Sequence, residues 1–230
     1  FARADLLSGG MFQRYAVFFT PPPGDLEAAG RSWLGWCSRL GVCVPQPDVP
    51  GLEIQALTRR ASRYGFHATL VAPFFPADGV TESDLQAETR CLAQLAQGVM
   101  LPPLDLSDQH GFFAFRPARP HEGLMSFAAQ CVRRLHPLRA LPSEQELARR
   151  RRARLSPRQE GYLMRWGYPY VMEDFNFHMT LTGRVNPDTQ SRVRAAISAH
   201  FQDACIDAVP LGAVTLMGEA ADGRFHQISR

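Results

Sequence analysis

Three observations predict an α+β fold of two pseudo-symmetric lobes, each an antiparallel sheet with flanking helices, around a central cleft. The first is the order of elements along the 230 residues: strand, helix, strand, helix, two strands, helix, then strand, helix, two strands. The second is a repeated pattern. Phe66-His67-Ala68-Thr69-Leu70 and Phe177-His178-Met179-Thr180-Leu181 occupy equivalent strands of the two halves. The third is a basic helical insertion at about 141–170, which interrupts the alternation without disturbing it.

Phe1 to Gly10 read as a tail or expression remnant outside the fold, leaving a single two-lobed unit over 11–230. Tyr15 to Thr20, aromatic and β-branched, predict a buried strand that stops at three prolines. Asp25 is placed to cap a helix running to about Leu40, with Gly41 as its stop. A Pro-rich loop follows, with a short helix near Gln55 to Arg60. Gly65 to Phe75 is the strand of the first motif. Thr81 and Asp84 have capping-box spacing at the head of a helix ending near Gln97. Strands near Met100 to Ser107 and Gly111 to Arg116 are joined by a polar turn, and a helix from about Gly123 to Leu135 ends at Pro137. Ser143 with Glu146, and Ser156-Pro157 with Gln159, open the two helices of the insertion, the second closing at Gly167. Phe175 to Val185 is the strand of the second motif, Asn186-Pro187 starts a helix to about Phe201, and a hairpin turning at Asp222-Gly223 ends the chain.

Composition excludes several classes. Hydrophobic residues make up 45% of the chain, which argues against disorder, and no apolar run is long enough to span a bilayer. With no secretory pattern at the start, the expectation is a cytoplasmic monomer that does not engage membranes. The 5 cysteines include no closely spaced pair, which argues against a disulfide framework or zinc site; reduced thiols packed among apolar residues are expected. Net charge is only +3, yet all 25 basic residues are Arg. Every cationic contact available to a ligand is therefore a planar guanidinium fork, suited to bidentate recognition of phosphate.

Residues two apart on a strand share a face. His67 and Thr69 thus point away from Phe66, Ala68 and Leu70, and the second motif divides in the same way. A lone His-x-Thr in a strand is a weak signal, and a histidine among core residues is usually structural. Two copies in the same context, each followed by a helix, point to function. Two facing imidazoles form an acid–base pair accessible near neutral pH, and two hydroxyls can donate to non-bridging phosphoryl oxygens. The spacing does not suit a metal, because Thr stands where a chelating second His would be; no cofactor is expected.

Around this pair, Arg63 and Tyr64 are placed to line the cleft entrance, and Asn176 shares a face with His178. Arg149 to Arg152 with Arg154 form a basic run that is mostly a solvated face; Arg150, and Arg158 on the next helix, are its candidates for a second phosphate or an RNA backbone. Tyr168 and Tyr170 are placed either to stack on a base or sugar or to pack on the motif strand. The remaining histidines, His110, His121, His136, His200 and His226, read as surface residues without a role.

On His67-Ala68-Thr69 and His178-Met179-Thr180, in a layout covering about 11–230, the chain resembles the two-histidine (2H) phosphoesterase superfamily. The resemblance implies His67 and His178 as catalytic residues, Thr69 and Thr180 as phosphate-binding hydroxyls, and a small phosphorylated substrate or a short RNA as partner. The basic insertion and Arg165-Trp166-Gly167-Tyr168-Pro169-Tyr170-Val171 look most like a branch described as phosphonate-metabolism proteins. That branch implies a small, ribose-based cyclic phosphodiester as substrate. The alternatives are an RNA 2',3'-cyclic phosphodiesterase or 2'-5' linkage-processing enzyme, and a binding protein that keeps the phosphate cleft without turnover.

Overall fold

A computed structural model describes residues 12–108, 111–204 and 208–230. The segment 1–10 set apart above, His110 and Cys205 lie outside them. The strands are β1 (Arg14–Phe19), β2 (Trp36–Cys37), β3 (Val42–Cys43), β4 (Ala68–Phe74), β5 (Met100–Leu101), β6 (Leu104–Ser107), β7 (Ala114–Pro117), β8 (Met179–Thr180), β9 (Val209–Pro210), β10 (Thr215–Glu219) and β11 (Phe225–Ser229). The α-helices are α1 (Asp25–Leu34), α2 (Ile54–Ser62), α3 (Glu82–Ala96), α4 (Glu122–Leu135), α5 (Glu144–Arg151), α6 (Pro157–Trp166) and α7 (Gln190–His200).

The α+β expectation holds. Seven strands form one antiparallel sheet in the order β11-β10-β1-β4-β8-β7-β6. The two expected halves meet inside it, where β4 and β8, the strands of the two motifs, are neighbours. Residues Tyr15 to Phe19 of β1 are buried, because this central strand is covered on both faces. The main core gathers Val17, Phe19, Leu70, Val71, Phe115, Met179 and Leu181 with Leu85 and Leu92 of α3 and Phe127 and Val132 of α4. A smaller cluster of Ala16, Phe18, Met217 and Phe225, joined by Tyr64, lies apart from it. Among the described residues no helix is long and apolar enough to cross a membrane.

Local signals account for most helix boundaries. Thr81 and Asp84 form the full reciprocal capping box of α3, and Ser156 with Gln159 does the same for α6. Gly167 closes α6 in the left-handed conformation at φ 67°. Ser143 accepts from the Glu146 N–H at the head of α5.

Other expectations need correction. The first helix stops at Leu34, not near Leu40, because Gly35 at φ 72° turns its N–H back to the Arg31 carbonyl; Gly24, not Asp25, precedes it. The next residues form the small β2–β3 hairpin. The second motif strand keeps only Met179 and Thr180, since the N–H groups of Leu181 and Thr182 both turn to the Phe113 carbonyl and Gly183 bonds Leu57 on α2. Cys37 and Cys131 are buried thiols as expected, but Cys43 and Cys91 are exposed. Nor are the remaining described histidines idle surface residues. His121 caps α4 through Nδ1, and His200 bonds Ser32 and the Ala29 carbonyl beside Trp33.

Candidate active site

The site begins with one residue pair. Ala68 of β4 faces Met179 of β8 in the antiparallel ladder. Carrying that register one residue each way sets His67 against Thr180 and Thr69 against His178, a crosswise, near two-fold arrangement. Ala68 and Met179 point into the core with no exposure, so the period-2 alternation leaves the four polar side chains on the opposite face.

Each imidazole is held in the same way. His67 Nδ1 donates to the Gly65 carbonyl at 2.9 Å, and His178 Nδ1 donates to the Asn176 carbonyl at 2.8 Å. A carbonyl only accepts, so each ring carries its proton on Nδ1 and turns Nε2 toward the shared face. His67 Nε2 lies 3.2 Å from the Thr69 hydroxyl. The His67 ring rests on Phe18 at 3.9 Å between centroids and stacks beside Tyr64 at 5.6 Å. Burial draws its pKa from 6.5 down to about 4; the Gly65 bond opposes this, and His178 lowers it further. His67 is therefore neutral at physiological pH, with a lone pair on Nε2.

The other sequence candidates fall into three groups. Tyr64, Tyr168 and Arg150 gather on the His67 side. Tyr64 stacks on Phe225 at 4.9 Å as well as on His67. The Arg150 guanidinium lies 4.6 Å from the centre of the Tyr168 ring, and burial raises the Tyr168 phenol pKa while Arg150 opposes it. Glu146, one turn before Arg150 on α5, holds Arg150 at 3.5 Å and acts on Arg14, so this side of the insertion lies near the Arg14 end of β1. Arg139 anchors the insertion through the Trp166 carbonyl at 2.5 Å.

A second group is engaged elsewhere. Arg63 bonds the Gly223 carbonyl at 3.2 Å and Glu219 at 3.4 Å, which ties it to the terminal hairpin; Glu219 also pairs with Arg14. Arg158 forms a two-point pair with Asp174 at 2.7 and 3.1 Å on the exposed outer side of α6. Tyr170 is 40% exposed and meets Tyr168 edge-on. For Asn176, it is the backbone carbonyl that orients His178, while its side chain is exposed.

Arg116 is a residue of this face that was not among the sequence candidates. Phe115 faces Met179 and Ala114 faces Thr180, so the same register places Arg116 opposite His178. Arg116 is only 4% exposed and lies over Phe112, whose ring meets that of His178 edge-on at 6.2 Å. The signal was available: in Phe113-Ala114-Phe115-Arg116 the alternation puts the arginine opposite the two core phenylalanines, on the face of the motif histidines.

Comparison with known proteins adds a family. A model described as a protein of unknown function (DUF1045) matches residues 69–226, which takes in the second motif and Thr69 of the first. A protein named ribose 1,5-bisphosphate phosphokinase PhnN from Janthinobacterium sp. (strain Marseille) is 38% identical over 226 residues, 94% of this chain and 50% of that protein. One of the same name from Laribacter hongkongensis (strain HLHK9) is 34% identical over 220 residues, 94% of this chain and 51% of that protein. The chain thus spans about half the length of the curated relatives it matches.

Proposed function

This chain belongs to the DUF1045 family of proteins of unknown function, and from its site we propose a phosphodiesterase of the two-histidine type that opens a small cyclic phosphate without a metal. The observation that carries the reading is the Ala68–Met179 pair, which brings two identically tethered imidazoles and two hydroxyls onto one face. His67, neutral, takes a proton from water at Nε2 as the water oxygen attacks phosphorus. The bond from phosphorus to one ring oxygen of the cyclic ester breaks, and His178, protonated, gives its Nε2 proton to that oxygen. Thr69 and Thr180 donate to the non-bridging oxygens as charge grows on them. A phosphomonoester leaves, and solvent exchange restores both rings.

The relatives' name supports a substrate built on phosphorylated ribose. Opening a 5-phosphorylated ribose 1,2-cyclic phosphate at its 2-oxygen yields ribose 1,5-bisphosphate, the compound in that name. The kinase chemistry of the same name is ascribed here to the half of the relatives that this chain does not span. Phosphate-cradling P-loops of kinases use a lysine, and all 25 basic residues of this chain are Arg. On this reading the protein works in phosphonate metabolism, upstream of a phosphokinase. The stacked ring of Tyr64 beside His67 favours one second reading, a terminal RNA 2',3'-cyclic phosphate whose base lies on that ring.

The test is a panel of ribose 1,2-cyclic phosphates, nucleoside 2',3'-cyclic phosphates and short RNA, with and without chelator. His67→Ala and His178→Ala should each abolish most turnover, and the double variant should be little worse than either. Loss of activity on chelation, or near-normal turnover of either single variant, would overturn the mechanism.

A further inference from the structure

The near two-fold symmetry of the motifs does not extend to the strands beside them. On the β1 side, Phe19 faces Ala68 and the register brings Thr20 opposite His67, where its hydroxyl is bonded to Thr215 at 2.7 Å. On the β7 side the equivalent position, opposite His178, is Arg116. The near two-fold backbone of the two motif strands does not by itself fix which way a substrate lies across them. A cation on one flanking strand, with a neutral hydroxyl at the matching position of the other, supplies a preference.

Arg116 also has two unpaired donors where Arg150 and Arg224 each have one. Its Nε and Nη1 are buried with no hydrogen-bond partner. Asp105, its cross-strand neighbour on β6, is exposed, and the ion pairs among the described residues do not join the two. The more distant Asp108 is committed to Arg194 at 3.1 Å and to Gln190 at 2.6 Å. Burial lowers the Arg116 pKa and Asp108 opposes this, without bringing the group near deprotonation in water. The guanidinium carbon lies 4.8 Å from the centre of the Phe112 ring, which in turn meets the His178 ring edge-on. A buried, oriented, charged fork with unspent donors is a built site for an anion.

We propose that Arg116 binds a second anionic group of the substrate, a phosphate other than the one being opened, and so fixes which ester oxygen faces His178. This rests on the cyclic phosphodiesterase reading and narrows it to substrates carrying two phosphoryl groups. Arg116 is here a specificity and positioning residue: the scissile phosphoryl group stays with the two histidines and threonines.

The discriminating experiment compares ribose 1,2-cyclic phosphate with its 5-phosphate as substrates of the wild type and of Arg116→Met. It also titrates ribose 5-phosphate into both proteins by calorimetry, which needs no turnover. Arg116→Met should lose about 30- to 100-fold more in kcat/KM on the phosphorylated probe than on the parent, chiefly through KM, and should weaken ribose 5-phosphate binding by a similar factor. Equal losses on the two probes, or unchanged binding of ribose 5-phosphate, would overturn the proposal. Arg116-dependent binding in a wild type that hydrolyses neither probe would support the subsite while refuting the catalytic reading. If circular dichroism shows Arg116→Met unfolded, Arg116→Lys is the substitute. It keeps the charge but not the fork, and should keep a preference for the phosphorylated probe about tenfold weaker than the wild type's; an undiminished preference would again overturn the proposal.

Discussion

Acidification should find His67 resisting protonation far below an ordinary imidazole. The unfolded chain takes up this proton near pH 6.5, and the folded chain only near pH 4, chiefly because the ring is buried against Phe18. Between those values the unfolded state binds more protons, so stability falls as pH falls. The contribution is fully present above pH 6.5, is lost progressively below it, and is gone near pH 4. At about 1.4 kcal/mol per pH unit, the gap between 6.5 and about 4 corresponds to about 3 kcal/mol. The assay is urea unfolding at pH 7 and pH 4.5 for the wild type and His67→Gln, which cannot titrate. Wild type should lose about 2 to 3 kcal/mol more than the variant over that interval. In parallel, the ring C–H resonances of His67 should move with a midpoint near pH 4. A midpoint near 6.5, or the same pH dependence in both proteins, would refute the claim that His67 is a desolvated base.

Two further outcomes follow from the geometry. On the proposed mechanism, Thr69→Val and Thr180→Val each remove one donor to the phosphoryl oxygens, and each should lower kcat by about 10- to 1,000-fold without unfolding the protein; a change under threefold would place the hydroxyls outside the reaction. Arg150 and Arg158 should behave unlike each other although both were candidates. Arg158→Ala breaks an exposed pair with Asp174 and should cost under about 1 kcal/mol by thermal unfolding with unchanged kcat, whereas Arg150→Ala uncovers the Tyr168 ring near the site and should raise KM severalfold.

The parts of this protein legible in its sequence are those governed by near neighbours. The capping boxes of Thr81 with Asp84 and Ser156 with Gln159 close within four residues, and both formed as spaced. The faces of the two motifs needed only the two-residue strand period, and Ala68 and Met179 are buried accordingly. What was not legible depends on partners far along the chain. The second motif strand is short because the Phe113 carbonyl receives both Leu181 and Thr182, a choice no local pattern encodes. Gly41 reads as the stop of the first helix, but Gly35, also at positive φ, ends it six residues earlier. Arg63 looked placed for a ligand and is instead held by Glu219 and Gly223, more than 150 residues away. For Arg116 the strand period gave the face, but its place opposite His178 rests on the register of β7 with β8, more than 60 residues along the chain.

The join between those halves has a mechanical side. Strands β11, β10, β1 and β4 on one flank and β8, β7 and β6 on the other are stitched at the middle of the sheet by one ladder pair, Ala68 with Met179. The distance between the two imidazoles is therefore set along the least laced line of the sheet. A phosphoryl group gripped by Thr69 from one flank and Thr180 from the other would span that line as an added rung. On the proposed function, the substrate would then help hold the two flanks, and with them the two histidines, at the spacing the reaction requires.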